Sequence, residues 1–270
     1  MTTTTGTQAS ATFYLGTHEP GWLWSGKAPF PLFVAAPRLA RYANLHPATT
    51  DWALDSGGFT ALSKRGRWTV SALDYVRQVA RYQREIGRMM WAAPQDWMCE
   101  PGVISGGMVG KVRCVGTGLS VKGHQWRTVA NFRQLVRLWP CVSDLPCPII
   151  PVLQGWTLAD YERCEEMYQA AGIDLTRYPV VGIGSVCRRQ GTEEIGKLVA
   201  SIGQRYPLHG FGVKTLGLAS YGEHLTSADS LAWSYEARLS APMPGHSHKS
   251  CSNCLTYASA WRARVLDRAA

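Results

Sequence analysis

Leu54-Asp55-Ser56-Gly57-Gly58-Phe59 places a carboxylate, a hydroxyl and two glycines at the end of the apolar run Trp52-Ala53-Leu54. An acid at a strand tip followed by Gly-Gly is an ionisable group beside backbone that a ligand can approach with no side chain between. The plainer reading is an acid that caps the following turn. The same grammar recurs, however: Gln95-Asp96 after Met89 to Pro94, Gln154-Gly155 after Ile149 to Leu153, Gly184-Ser185 after Val180 to Ile183, Gly212 inside Leu208 to Val213, and Asp229 after Leu225 to Ala228. A second group of chemistry-bearing residues closes the chain. His246, His248, Cys251 and Cys254 lie within nine residues, and two imidazoles with a C-x-x-C form a tetrahedral zinc ligand set. With all four positions filled by protein, zinc there is structural.

These residues need elements to hold them. Phe13-Tyr14-Leu15-Gly16 and Leu32 to Ala36 read as two further short strands, which makes eight strand-like runs. Helical spacing appears in Val70 to Ile86 (Leu73, Val76, Val79 and Ile86 on one side, Arg77, Arg81 and Arg84 on the other), and again in Leu158 to Ala171 and Glu193 to Tyr206. Strands alternating with helices predict a parallel α/β fold, and eight of them a TIM (β/α)8 barrel over residues 10–240. All strand tips then face one mouth. Glu100 to Pro148 interrupts this pattern as a basic insertion, Gly-rich at first and helical from Thr128 to Leu138, which reads as a lid. Within it His124 reads as a surface histidine. Residues 241–270 form the zinc-binding segment and a terminal helix.

Composition sets the outer limits. With 46% hydrophobic and 17% charged residues among 270, the chain can bury a large core. Its net charge of +9 points to a polyanionic partner. No stretch is apolar enough to span a membrane. Met1 to Thr5 lacks the basic and apolar regions of a signal peptide and reads as a frayed tail. The eight cysteines are scattered, which argues against a disulfide framework and for a reducing, cytoplasmic setting.

The ordered set Asp55-Ser56-Gly57-Gly58-Phe59, Gln95-Asp96, Leu153-Gln154-Gly155, Gly182 to Ser185, Gly210 to Val213 and Ser227-Ala228-Asp229 resembles the tRNA-guanine transglycosylase superfamily, a TIM barrel with a zinc subdomain. Pro94-Gln95-Asp96-Trp97 and the tail His248-x-x-Cys251-x-Asn253-Cys254 look closest to its DNA-modifying branch, which inserts 7-deazaguanine bases such as 7-cyano-7-deazaguanine. Thr60 stands where the tRNA enzymes have glutamine, and the metal ligands here are local. The resemblance implies Asp229 as nucleophile, Asp55 as general acid/base, and Asp96 and Gln154 as readers of the guanine edge. It implies Ser56, Gly57, Gly155, Gly184 and Gly212 as further substrate contacts, zinc as the metal, and DNA as the polymer, with an ATPase of the modification system as a candidate partner. Base exchange with retention independently requires a carboxylate that can leave again and a second acid or base. A tRNA enzyme, a non-catalytic nucleic-acid-binding barrel and a nucleoside hydrolase are the alternatives; paired acids weigh against the second, and the basic insertion and zinc tail against the third.

Overall fold

The structure is a computed structural model that describes residues 11–269, so the Met1 to Thr5 tail lies outside the described residues. The first half of the fold comprises β1 (Thr12–Thr17), β2 (Leu32–Ala35), α1 (Ala36–Leu39), β3 (Trp52–Asp55), α2 (Gly58–Arg65), α3 (Ala72–Glu85) and β4 (Met89–Ala92). Next come α4 (Pro101–Ser105), β5 (Gly107–Val109), β6 (Val112–Cys114) and α5 (Val121–Leu138). The second half runs β7 (Val152–Leu153), α6 (Leu158–Ala170), β8 (Val181–Ile183), α7 (Glu193–Gly203), β9 (Leu208–Gly210), α8 (Thr215–Tyr221), β10 (Ser227–Ser230), α9 (Ala232–Leu239) and α10 (Leu255–Asp267).

Eight of these strands make one sheet in the order β4-β3-β2-β1-β10-β9-β8-β7, every pair parallel. A parallel bridge from Ala92 to Ile149 joins the two edges, with the Ala92 N–H donating to Pro148 O at 2.8 Å and the Ile150 N–H to Ala92 O at 3.0 Å. The sheet therefore curls round on itself in a TIM-like α/β fold.

Strand alternation divides the core in two. Phe13, Leu15, Leu32, Val34, Trp52 and Leu54 face outward and pack with the inner faces of the helices, Val76 and Val79 of α3 among them. Tyr14, Phe33, Ala53, Trp91, Ala93, Ile150 and Val180 face inward and fill the concave side of the curled sheet. Asp55, two residues beyond Ala53, and Asp229, two beyond Ser227, share that inward phase at the C-terminal ends of the strands. Helix starts are held by side chains. Ser71 accepts from the Asp74 N–H, and Thr157 with Asp160 forms a capping box on α6.

Three expectations change. The last strand begins at Ser227, two residues later than its apolar run, so Asp229 sits within β10 rather than beyond it. The long connection is ordered: its Gly-rich half forms α4 and an antiparallel β5–β6 ribbon, and α5 starts at Val121 because Ser120 caps it, accepting from the Gly123 N–H at 3.1 Å. His124 is not a surface histidine but fully buried, with Nδ1 2.6 Å from Met98 O and Nε2 2.6 Å from Thr117 Oγ1. Burial lowers its pKa, and as a neutral ring it locks α5 to the segment after β4.

Candidate active site

A cavity of about 230 Å³ opens among the C-terminal strand ends. Asp55, Ser56, Gly57, Asp96, Gln154, Gly184, Gly212 and Asp229 all line it, so eight of the nine substrate or catalytic candidates converge there. Gly155 does not line it. A Cβ at Gly155 would meet Asp160 and Tyr161 at 2.8 Å, so glycine there serves the approach of α6 to the end of β7.

Asp229 is 7% exposed. Its Oδ1 accepts the Gly212 N–H at 2.9 Å and lies 3.2 Å from His209 Nε2. Gly212 has φ +68° and its Cβ would strike Cys187 at 2.6 Å, so glycine is needed to bring that N–H to the carboxylate. His209 is wholly buried, caged by Trp91 and Phe211 at ring distances of 4.4 and 4.7 Å. Its Nδ1 lies 2.9 Å from Ser227 Oγ. With Asp229 ionised, one tautomer satisfies every group: Nε2–H donates to Asp229 and Ser227 O–H donates to Nδ1. Both contacts fall on Oδ1, which leaves Oδ2 for a ligand.

Asp55 receives the Gly57 N–H on Oδ1 at 2.8 Å, so it does cap the turn while also facing the cavity. Enclosure by protein is the main cause that raises its carboxyl to about 6; the Gly57 bond opposes this and the charge of Asp229 adds to it. Asp96 is raised to about 7, again chiefly by burial, against the bond it accepts from Gln154 Nε2 at 2.5 Å. Gln154 is itself fixed, since its Oε1 accepts from Ser185 Oγ at 2.7 Å and that hydroxyl accepts the Cys99 N–H at 2.8 Å. A Cβ at Gly184 would fall 2.2 Å from Gln154 Nε2, so glycine there makes room for the amide. Ser185 holds φ +60°, a strained conformation for a residue with a side chain, at the point where this network meets the cavity. Sequence reasoning missed His209, Glu100 and Arg188, and quoted Ser185 only within the strand-end motif, with no role. Glu100 is buried on the cavity wall, 3.2 Å from Arg188, and among the described residues its Oε2 has no hydrogen-bond partner within 3.5 Å.

Residues 9–270 match the model of a protein family described as DpdA, DeoxyPurine in DNA protein A. The chain belongs to that family. Membership implies an enzyme of DNA modification. No curated protein matches the chain. Among solved structures, phosphoenolpyruvate phosphomutase from Streptomyces platensis subsp. rosaceus is similar at 15% identity and a TM-score of 0.48, covering 82% of this chain and 76% of that one. A phosphonopyruvate hydrolase complex with oxalate and Mg++ is similar at 13% identity and a TM-score of 0.46, covering 95% and 93%.

Cations sit on aromatic faces, and one such pair, Arg188 on Phe59, lines the cavity. Arg127 lies 4.7 Å from the Trp97 ring, Arg188 4.8 Å from Phe59, Arg189 3.7 Å from Trp156 and Lys111 5.3 Å from Tyr235. His246, His248, Cys251 and Cys254 come together as a possible metal centre. His248 Nε2 is 3.1 Å from Cys251 Sγ, and His246 Nδ1 is 3.6 Å from both sulfurs and 3.3 Å from His248 Nε2. Ligands on a tetrahedral zinc ion stand roughly 3.3–3.8 Å apart, given metal–ligand bonds of about 2.0–2.3 Å, and these four donor atoms all lie within 4.8 Å of one another, so small side-chain shifts would let them hold such an ion. The cysteines are free of disulfides, and among the described residues no helix is long and apolar enough to cross a membrane.

Proposed function

We propose that the chain is a DNA-guanine transglycosylase that exchanges guanine for a 7-deazaguanine base, 7-cyano-7-deazaguanine being one such base, on a (β/α)8 barrel of residues 10–240. The observation that carries this reading is the pair of carboxylates in one cavity: Asp229 held through one oxygen by Gly212 and His209, and Asp55 retaining a proton up to about 6.

In this reading Asp229 Oδ2 attacks C1′ of the target deoxyguanosine. The C1′–N9 bond breaks, its electron pair leaves with the base, and Asp55 supplies the proton that neutralises it. A C1′–oxygen ester to Asp229 remains. The incoming base then gives its N9 proton to the Asp55 carboxylate, N9 attacks C1′, and Asp229 is released, so two inversions retain the configuration. Asp96 and Gln154 suit the Watson–Crick edge of either base: a carboxylate accepts from N1–H and the exocyclic amine, and an amide donates to O6. Asp229 lies too deep for a stacked base, so the nucleotide must swing out of the duplex. Zinc on His246, His248, Cys251 and Cys254 would hold residues 241–270 together and takes no part in these steps.

A covalent trap tests this. Protein incubated with guanine-containing DNA and a 7-deazaguanine base, then denatured, should carry a mass adduct that disappears in Asp229→Asn. An adduct on tRNA alone would transfer the assignment to a tRNA enzyme. Binding without any adduct would leave a non-catalytic barrel.

A further inference from the structure

The β5–β6 ribbon has two unlike faces. Met108 pairs with Arg113 and Val109 with Val112 across the strands. Val109 and Cys114 turn inward and pack with Leu62, Trp97 and Val103, which anchors the ribbon to α2, α4 and the segment after β4. The other face is largely open: Met108 is 62% exposed and Val115, just past β6, 61%, although Val115 Cγ2 would be 3.4 Å from a Cβ at Gly66, with Arg113 in the same alternation phase between them. The ribbon's tip lies at the cavity mouth. A Cβ at Gly110 would be 3.7 Å from Nε of Arg188, which lines the cavity, and Lys111 Nζ reaches the ring of Tyr235 on the helix after the Asp229 strand.

An exposed apolar strip flanked by cations is disfavoured against water alone and suited to a partner that is apolar inside and anionic outside. A base stack between phosphate backbones has that profile. Taken with the base-extruding reaction proposed above, on which this step rests, we infer that the ribbon's outer face is a wedge for duplex DNA. Met108 and Val115 enter the gap that the extruded nucleotide leaves, and Arg113 and Lys111 engage the flanking phosphates. Opening a base step costs a few kcal/mol, and inserted apolar side chains offset that cost by restoring contacts to the neighbouring bases. The cations add a sequence-independent, salt-sensitive contribution.

Fluorescence anisotropy of the full chain on a mixed-sequence DNA duplex, with and without a central abasic site, tests the wedge without requiring turnover. Wild type should bind the abasic duplex about tenfold tighter, since its gap is already open. Met108→Ser/Val115→Ser should bring the two affinities to within about twofold while the salt dependence stays unchanged. Lys111→Ala/Arg113→Ala should weaken both and lower the salt slope by about two. A preference that survives Met108→Ser/Val115→Ser, or a wild type that shows none, overturns the wedge. So does failure to bind duplex at all. If the preference behaves as expected but no guanine is exchanged, the proposed reaction falls and the wedge stands. Both apolar side chains are on the surface, so the substitutions leave the core intact.

Discussion

Asp55 and Asp229 line one cavity, but their surroundings differ, and the difference assigns them roles. Asp229 takes two donors on a single oxygen, whereas Asp55 has one backbone N–H and is otherwise enclosed. Enclosure makes Asp55 an acid that still carries its proton near pH 6 and a base above it. The two half-reactions should therefore respond to pH in opposite senses. Adduct formation needs the protonated carboxyl, so its single-turnover rate should be level below about 6 and fall about tenfold per unit above. Resolution of the preformed adduct by saturating free base needs the carboxylate, so its rate should rise through the same range and then level. Rapid-quench measurements of both halves, in wild type and in Asp55→Asn, check this. Two profiles with the same sign would remove Asp55 from proton transfer.

At the scale of elements, strand phase explains both what the sequence disclosed and what it hid. Apolar runs that end in acids, read as parallel strands whose tips face one mouth, were enough to bring Asp55 and Asp229 together. His209 carries the same signal: it is a polar residue at an inward position of β9, in register with Ser227 on β10. It escaped notice because a strand of three residues is too short for alternation to stand out. The ribbon was hidden for a similar reason. Three-residue strands flanked by glycines resemble a loop until their inner face meets Val103 and Trp97. Gly155 lies off the cavity because adjacency to Gln154 in sequence says nothing of which way the backbone turns afterwards. The β9–β10 register makes a prediction of its own. His209→Phe keeps an aromatic ring inside the Trp91, Phe33 and Phe211 cage but removes the donor to Asp229. A hydrogen bond to a charged group is worth about 1.5–3 kcal/mol, so kcat for base exchange should fall roughly ten- to a hundredfold with KM for DNA unchanged. Steady-state kinetics with a melting curve as the fold check would decide it. A change confined to KM would mean that His209 serves the packing alone.

At the scale of the whole molecule, the C-terminal segment is added to a TIM-like fold whose sheet already curls round on itself. Its side-chain hydrogen bonds run to α9 and β1: Ser234 Oγ donates to Ser252 O at 2.8 Å, Ser250 Oγ to Ala237 O at 3.1 Å, Trp261 Nε1 to Glu236 at 2.9 Å, and Arg262 to Phe13 O at 3.3 Å, with the Arg262 guanidinium also 5.0 Å from the Phe30 ring. None of the four His/Cys residues lines the cavity. A metal there would tie α10 to the helix that follows the Asp229 strand without touching the reacting atoms. Purified protein should then hold one zinc ion per chain by elemental analysis. Stripping it with a chelator, or replacing a ligand in Cys254→Ser, should lower the melting temperature by roughly 10 °C, the scale of about 3 kcal/mol in a chain of this size. The pH profile of adduct formation should not shift in the stripped protein at a temperature where it remains folded, because Asp55 and its neighbours are untouched. If the rate instead falls in proportion to the zinc removed while the melting curve is unchanged, the ion belongs to the chemistry and the structural assignment is wrong.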